Sequence, residues 1–305
     1  MNLTNINITP VHIAFDEVCK KANERGIRVT GSELVGLIPL KAILDAGKYF
    51  LEKQNRSTGV SQKELIKIAV KSLGLDELSP FKPEERIIEY LLNNESPPRL
   101  IKMNLSEFAD ETASESPAPG GGSIAAYMGS LGISLGTMVA NLSSHKPGWD
   151  DRWKEFSDWA ERSQFYKNEL LKLVDEDTKA FNKILTAFGM PKSSAEEKIS
   201  RAQAIEDATK YATEIPFKVM ELAGASMEII KKMAEIGNPN SISDAGVGAL
   251  CARSAVIGAY LNVKINARDL TDKDFAAQLI SKGNVIVDQT QQLETEILKL
   301  VNSKI

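Results

Sequence analysis

Apolar residues recur at intervals of three and four over most of the chain beyond residue 103, a spacing typical of helices that bury one face. The pattern predicts helices at 104–113, 122–143, 151–188, 194–236, 242–265 and 272–303. Pro216 falls inside one of these segments and is expected to kink or divide that helix. Because no clear strand alternation interrupts the pattern, we predict a mainly α protein whose larger part is an antiparallel helical bundle.

The first 93 residues have a different pattern. Residues 27–29 and 34–38 are short, β-leaning apolar runs separated by a Gly-Ser pair, and they predict strands. Helix starts are indicated at Thr9-Pro10, Pro39 and Ser61. A proline pair in NNESPPRL interrupts helix and indicates a linker. We therefore expect a small α+β segment over 1–93, a linker over 94–102 and a helical domain over 103–305.

Composition narrows the classes of function. The chain has 305 residues, with 37 basic and 41 acidic side chains and a net charge of −4, so charge gives no general reason to bind nucleic acid. A hydrophobic content of 43% is ordinary for a globular protein. With only two cysteines and two histidines we expect neither a disulfide scaffold nor a metal site, and a cytoplasmic location.

The stretch 116–144 carries no charge and is long enough to cross a bilayer. It also contains several glycines and scattered Ser, Thr and Asn residues. We therefore expect a helix buried in a bundle rather than a membrane span. The amino-terminal sequence MNLTNINITP has neither the basic start nor the apolar core of a secretory signal.

Asp177 is the most informative polar residue. Residues three or four positions apart share one helix face, and here they are Leu170, Leu173, Val174, Asp177, Phe181, Ile184 and Phe188. An acid in an apolar stripe loses water, which raises its pKa and suits it to proton transfer near neutrality. The alternative is a buried aspartate that hydrogen bonds satisfy. Asp175 belongs to the face of Lys172 and Lys179, which we expect to be solvated.

A second feature is the run SPAPGGGS at 116–123. Two prolines stop any preceding helix, and Ser123 is expected to cap the helix that follows. Amides exposed at a helix start favour an anion, although an ordinary hinge or cap is equally compatible with the glycines. Within the helix, small residues at helical spacing predict close packing of another helix, and they are Ala125, Gly129, Gly132 and Gly136.

A third feature is a polar and small-residue stripe near the carboxyl end. Its members at helical spacing are Asp244, Gly248, Cys251, Ala255, Gly258, Asn262 and Asn266. Such a face has room for a flat heterocycle, and its amides both donate and accept hydrogen bonds. A tight helix crossing with two capping asparagines is the alternative.

Several separated motifs carry a resemblance. VDEDTKAF (174–181), GNPNSISD (237–244) and GAYLNVKINARDLTD (258–272) follow SPAPGGGS in an order that resembles formimidoyltetrahydrofolate cyclodeaminase. The segments HIAFDEVC, VTGSELVGLIPLKAILDAG and LSPFKPEERIIEYL resemble the terminal part of a formiminotransferase domain. The whole chain is thus similar to the carboxyl-terminal portion of the bifunctional formiminotransferase-cyclodeaminases.

The resemblance implies an ammonia-lyase of one-carbon metabolism and histidine degradation, which converts 5-formimidoyltetrahydrofolate to 5,10-methenyltetrahydrofolate. It implies a tetrahydrofolate derivative as substrate, no permanently bound cofactor, and a homo-oligomer with its site at a subunit contact. The family's acid/base aspartate aligns with Asp177. Residues that border the folate by this similarity are Gly121, Gly122, Ser123, Asn262 and Asn266. Thr178 departs from the alanine that is common in the family.

The transferase half that carries the catalytic histidine in this family has no counterpart here, and His12 lies in a different motif. We therefore do not expect formimidoyl transfer by this chain alone, although a separate formiminotransferase is a possible partner. Two other functions stay open. One is methenyltetrahydrofolate cyclohydrolase on the same bundle, and the other is a non-catalytic folate-binding module that organises a transferase.

Overall fold

The computed structural model describes residues 2–92 and 100–305. It divides into two compact units, which are Met1–Ser96 with Ser144–Glu161, and Pro97–Ser143 with Arg162–Ile305. The predicted linker lies mainly outside the described residues, except that Leu100–Lys102 form a short 3-10 helix. The predicted domain limits at 93 and 103 therefore stay predictions.

The described residues are mostly helical, as predicted. In chain order the helices are α1 (Val11–Asn23), α2 (Leu40–Glu52), α3 (Gln62–Leu73), α4 (Pro83–Arg86), α5 (Ile88–Leu92), α6 (Leu105–Ala113), α7 (Gly121–Ser144), α8 (Trp153–Phe188), α9 (Ala195–Ile236), α10 (Ile242–Arg268) and α11 (Lys273–Asn302). From α6 onward the bounds agree with the predicted helices to within three residues. Periodicity located these helices well because the spacing of apolar residues follows the helical repeat along the sequence.

In the first unit, α2 and α3 pack closely over a shared apolar core. A Cβ atom added at Gly47 would lie 2.3 Å from the Leu65 carbonyl oxygen, so this crossing requires glycine. Ser61 begins α3 as predicted, since its hydroxyl accepts the Glu64 amide at 3.2 Å. The core comprises Ile38, Ala42, Ile43, Ala46, Phe50, Ile66, Ala69, Val70, Leu73 and Ile87.

The prediction of an α+β segment was wrong, because residues 2–92 contain no strand. Their single β-bridge joins Ile38 to Ile87 in parallel. A strand needs a partner along its length, and in the runs 27–29 and 34–38 only Ile38 is paired in this way. Ser32 instead bonds the carboxyl end of α3, where its amide donates to Gly74 O at 3.2 Å. Within the run 34–38, Val35 is 88% exposed and Leu37 is 51% exposed, and only Ile38 is buried.

The second unit is a helical bundle in which α9, α10 and α11 pack against one another. Short connections join these helices, as expected for antiparallel neighbours. Proline lacks an amide hydrogen, yet α9 continues through Pro216 and is not divided there. The carbonyl that Pro216 leaves without its helical partner belongs to Ala212, and it accepts the Asn266 side-chain amide at 2.7 Å. A hydrogen bond from α10 thus compensates the proline.

The predicted small-residue stripe of α7 lies against α10. A Cβ added at Gly132 would lie 2.8 Å from the Gly248 carbonyl oxygen, and one at Gly121 would lie 3.2 Å from Asn262 Nδ2. Residue numbers fall along α10 as they rise along α7, so the two helices run antiparallel. The crossing shows the close packing that was predicted for the α7 stripe, and it brings the α10 stripe to the same contact.

Two helical segments are long and apolar enough to cross a membrane, judged by length and composition. They are Gly121–Ser144 and Pro239–Arg268, with mean hydropathies of 1.4 and 1.3 over their most apolar windows. In the structure 61% and 50% of these windows are buried. A core helix of a bundle has the same composition, and the mutual packing of α7 and α10 agrees with that assignment.

Candidate active site

The candidate site lies at the amino-terminal end of α7, whose first residues are Gly121, Gly122 and Ser123. A helix leaves its first amides without partners inside the helix. The Ser123 amide donates to Asp177 Oδ2 on α8 at 2.9 Å. Within the described part of the chain, the amides of Gly121 and Gly122 donate to no other group. Two hydrogen-bond donors therefore stand beside one carboxyl group.

Asp177 lies directly against the backbone of Gly122. A Cβ atom added at Gly122 would lie 2.1 Å from Asp177 Oδ1 and 2.5 Å from its Cγ, which is shorter than real contacts allow. Any side chain at this position would therefore displace the carboxyl group. The glycine has a specific reason here, which is the close approach of a charged side chain rather than an unusual backbone conformation.

Ser123 is completely buried beneath this carboxyl group. Its Oγ lies 2.8 Å from the Val174 carbonyl oxygen and 3.1 Å from Asp177 Oδ2. The prediction that Ser123 caps α7 was wrong, because the helix begins at Gly121 and the hydroxyl is directed to α8 instead. Sequence reasoning also missed Val174, since a backbone carbonyl leaves no signal in the sequence.

Burial raises the pKa of the Asp177 carboxyl group above its ordinary value, and the hydrogen bonds from the Ser123 side chain and backbone offset part of this rise. Desolvation disfavours the charged form, whereas donors directed at the carboxylate favour it. No charged side chain is among these causes. The result is a carboxyl group that holds its proton more tightly than a surface aspartate does.

Only the part of the apolar stripe that precedes Asp177 in the sequence is buried. Leu170 and Val174 are fully buried, whereas Phe181 and Phe188 are 40% and 54% exposed. Asp177 itself is partly buried, at the point where the stripe leaves the interior. The structure therefore confirms the apolar surroundings on the amino-terminal side of the acid.

Asp175 does not lie on a solvated face, so that prediction was wrong. The side chain is 8% exposed, and its Oδ1 accepts the Leu100 amide at 2.9 Å. Burial raises the pKa of Asp175, and backbone hydrogen bonds from Leu100 and Ile101 lower it in part. The partner lies 75 residues away in sequence, so periodicity within α8 had no means of revealing it.

The two asparagines differ in position. Asn262 lies beside Gly121 at the start of α7, and its Nδ2 donates to the Gly258 carbonyl of its own helix at 2.9 Å. Asn266 turns its Nδ2 to Ala212 on α9. The structure therefore gathers Gly121, Gly122, Ser123, Asp177 and Asn262, and it directs the amide group of Asn266 away from them.

The assembled groups can transfer a proton and hold a polar ligand atom. The carboxyl group supplies the proton, the two helix-start amides donate to an anion or a carbonyl oxygen, and the carboxamide both donates and accepts. Among the residues that the structure describes, no three His, Cys, Asp or Glu side chains form a group suited to a metal ion.

Comparison with known proteins connects this geometry to a family. A family model described as Formiminotransferase-cyclodeaminase matches residues 104–284, and one described as Formiminotransferase domain matches residues 1–93. The formimidoyltransferase-cyclodeaminase of Gallus gallus is 35% identical over 304 residues, which are 99% of this chain and 56% of that protein. The chain thus spans little more than half the length of this relative.

Two further proteins match about two thirds of the chain over nearly their own full length. The methenyltetrahydrofolate cyclohydrolase of Methylorubrum extorquens is 34% identical over 201 residues, which are 66% of this chain and 97% of that protein. The crystal structure of formiminotetrahydrofolate cyclodeaminase from Thermotoga maritima superposes with a TM-score of 0.60 at 26% identity, covering 67% of this chain and 98% of that one. By its family models and its relatives, the chain belongs to the formiminotransferase-cyclodeaminase family.

Proposed function

We propose that the second unit is a formimidoyltetrahydrofolate cyclodeaminase, an ammonia-lyase that forms 5,10-methenyltetrahydrofolate from 5-formimidoyltetrahydrofolate. The observation that carries this proposal is the Asp177 carboxyl group, held against Gly122 by two hydrogen-bonding groups of Ser123. Cyclisation with loss of ammonia needs one group that both accepts and donates a proton. A partly buried carboxyl group with a raised pKa suits that task.

The reaction balances with Asp177 as the proton carrier. N10 of the folate attacks the amidinium carbon on N5, and the C–N10 bond forms while the C=N bond becomes single. The Asp177 carboxylate accepts the proton from N10. The same group then donates this proton to the amino nitrogen of the adduct, which leaves as ammonia when its bond to carbon breaks. The cationic product keeps the carbon between N5 and N10.

The surrounding groups would bind the folate. The amides of Gly121 and Gly122 donate to a carbonyl or carboxylate oxygen of the substrate, and the Asn262 carboxamide pairs with its heterocycle. Asn266 would reach the ligand through its Oδ1, because its Nδ2 is bonded to Ala212. We propose that the reaction proceeds without a permanently bound cofactor, because proton transfer is the only assistance that its steps require.

The oligomeric state and the partners that we propose are those that the family resemblance implies. We propose a cytoplasmic enzyme that assembles as a homo-oligomer, at least a dimer, and that accepts a tetrahydrofolate with or without further glutamates on its tail. The first unit corresponds to part of a formiminotransferase domain. We propose that a formiminotransferase activity supplies the formimidoyl folate that this site consumes.

A methenyltetrahydrofolate cyclohydrolase is the second candidate, because a relative of that name matches two thirds of the chain. In that reaction water attacks the methenyl carbon and Asp177 accepts one of the water protons. The bond from this carbon to N5 then breaks, N5 takes up the second proton, and the formyl group stays on N10. The two activities release different products, since the cyclodeaminase yields ammonia and the cyclohydrolase yields a formyl folate.

The test follows methenyl absorbance and ammonia together on 5-formimidoyltetrahydrofolate. We expect equal amounts of both products from the wild type, and a fall in kcat of about 10²- to 10⁴-fold for Asp177→Asn. Asp207→Asn, on an exposed aspartate of α9 in the same unit, is the matched control and should keep full activity.

The pH dependence provides a further check. Asp177 must be ionised to accept the first proton, so kcat falls as the pH drops through its pKa, and this limb lies above the ordinary value of 3.8. The limb should be absent in Asp177→Asn. A folded, oligomeric wild type that binds folate and releases no ammonia would contradict the proposal, and formyl product alone would favour the cyclohydrolase.

A further inference from the structure

Ser123 places one hydroxyl proton between two acceptors. Its Oγ lies 2.8 Å from the Val174 carbonyl oxygen and 3.1 Å from Asp177 Oδ2. A serine hydroxyl donates one hydrogen bond and accepts others, so it cannot donate to both atoms at once. Because Ser123 is 0% exposed, water does not compete for this hydroxyl and substrate does not reach it.

The two possible orientations match the two protonation states of the acid. When Asp177 is ionised, the Ser123 hydroxyl donates to Oδ2. When Asp177 carries a proton on Oδ2, the hydroxyl donates to the Val174 carbonyl and accepts from the acid. Both arrangements use the same heavy-atom positions. Only a hydroxyl rotation separates them, and the Ser123 hydroxyl and Asp177 Oδ2 remain hydrogen-bonded to each other in both states.

We infer that Ser123 is a positioning residue that holds the Asp177 carboxyl group in both of its protonation states, by rotating its hydroxyl between Asp177 and the Val174 carbonyl. This role rests on the proposed function of Asp177 as proton carrier, and it differs from the direct folate contact that the family resemblance implies for Ser123. An acid that must accept and then donate within one turnover gains from a partner that fits both states without movement of the site.

A second observation indicates that the Val174 carbonyl is kept for Ser123. Threonine in a helix ordinarily donates its hydroxyl to the carbonyl four residues earlier, which for Thr178 is Val174. Here Thr178 Oγ1 is buried and has no partner among the described residues. Ser123 from α7 bonds that carbonyl instead. A hydrogen bond from α7 thus replaces the expected one within α8, and the same Ser123 hydroxyl also contacts Asp177.

The alternatives to this positioning role are a purely structural role for the Ser123 hydroxyl and a role as a one-way donor. The Ser123 amide already joins α7 to Asp177, so the hydroxyl would then add only a buried hydrogen bond. A one-way donor is another alternative, because a hydroxyl that bonds only the carboxylate lowers the pKa of the acid. The three possibilities predict different results when the hydroxyl is removed and the amide is kept.

The experiment compares Ser123→Ala with the wild type in two measurements. The first is the pH profile of kcat and KM on 5-formimidoyltetrahydrofolate. The second is the titration of the Asp177 carboxyl carbon by NMR in protein labelled with ¹³C at aspartate, assigned with Asp177→Asn. Ser130→Ala is the control, since it removes another buried hydroxyl of α7, which bonds the Lys167 carbonyl rather than an acid.

For Ser123→Ala we expect kcat to fall by about 10- to 100-fold with little change in KM. We expect the pKa of Asp177 to rise, because the hydroxyl offsets part of the rise that burial causes, but by less than about one unit, because the hydroxyl also accepts from the protonated acid. Unchanged kcat would overturn the positioning role, and a rise in the pKa of about one unit or more would show a one-way donor instead. Ser123→Cys, similar in size with a weak donor, replaces the alanine variant if that variant does not fold.

The titration keeps this inference separate from the proposed function. A wild type that shows no turnover would refute the cyclodeaminase assignment. The pKa of Asp177 with and without the Ser123 hydroxyl would still decide whether the hydroxyl serves one protonation state or both.

Discussion

Gly122→Ala is the sharpest test of the site geometry. The new Cβ would lie 2.1 Å from Asp177 Oδ1, 2.5 Å from Cγ and 2.7 Å from Oδ2. Since non-bonded heavy atoms do not approach this closely, the carboxyl group must move by about 1 Å. That movement breaks the hydrogen bond from the Ser123 amide, now 2.9 Å long, and removes the acid from the two helix-start amides.

The expected loss is large for a single methyl group. A displacement of about 1 Å at a reacting group costs about 10²-fold in rate, which is about 2.7 kcal/mol on the activation barrier. The assay is kcat/KM for methenyl formation, together with the free energy of unfolding from urea titration. We expect little change in folding, because alanine in a helix gains up to about 1 kcal/mol over glycine and offsets the broken hydrogen bonds.

Gly258→Ala is the matched control on α10. A Cβ there would meet only the Ala125 Cβ at 3.5 Å, an ordinary contact, so this variant should keep wild-type activity. If Gly122→Ala retained wild-type kcat/KM and its pH profile, the carboxyl group would not work from the position seen here, and the argument from Gly122 would be refuted.

Two buried polar contacts give further predictions. Asp175→Leu should lower the free energy of unfolding by about 1–3 kcal/mol in urea titrations, because it leaves the Leu100 amide without its acceptor. Asp175→Asn keeps an acceptor oxygen and should lower the free energy of unfolding by less. Equal losses in the two variants would show that this hydrogen bond contributes nothing to stability. Asn266→Leu should lower the free energy of unfolding by a similar amount, because it leaves the Ala212 carbonyl unpaired. In a Pro216→Ala background the same substitution should lower it much less, because the backbone amide of the new alanine bonds that carbonyl. Additive effects in this double-mutant cycle would contradict the pairing.

Asp177 could be identified from the sequence because its signal is local. Helical spacing places it in line with Leu170 and Val174, which are fully buried. The same method failed for Asp175, two positions away, since its burial depends on Leu100 from a distant segment. Periodicity predicts the face that a residue occupies, and it does not identify what covers that face.

The strands of the first unit were mispredicted for a related reason. Apolar, β-branched runs favour extended backbone, but a sheet requires neighbouring strands to complete its hydrogen bonds. In residues 2–92 the single bridge between Ile38 and Ile87 is all that forms. Residues outside that bridge, such as Ile27, are exposed and do not stabilise a sheet.

The linear order of residues was enough to locate the helices of the bundle, the small-residue faces of α7 and α10, and one acid in apolar surroundings. These properties depend on residues within a few positions of one another, where helix geometry alone relates side chains. Only the tertiary structure decided that Gly122 must admit a carboxyl group, that the Ser123 hydroxyl contacts an acid, and that Asn266 compensates Pro216. Those contacts join segments tens of residues apart, and their partners are chosen when helices pack.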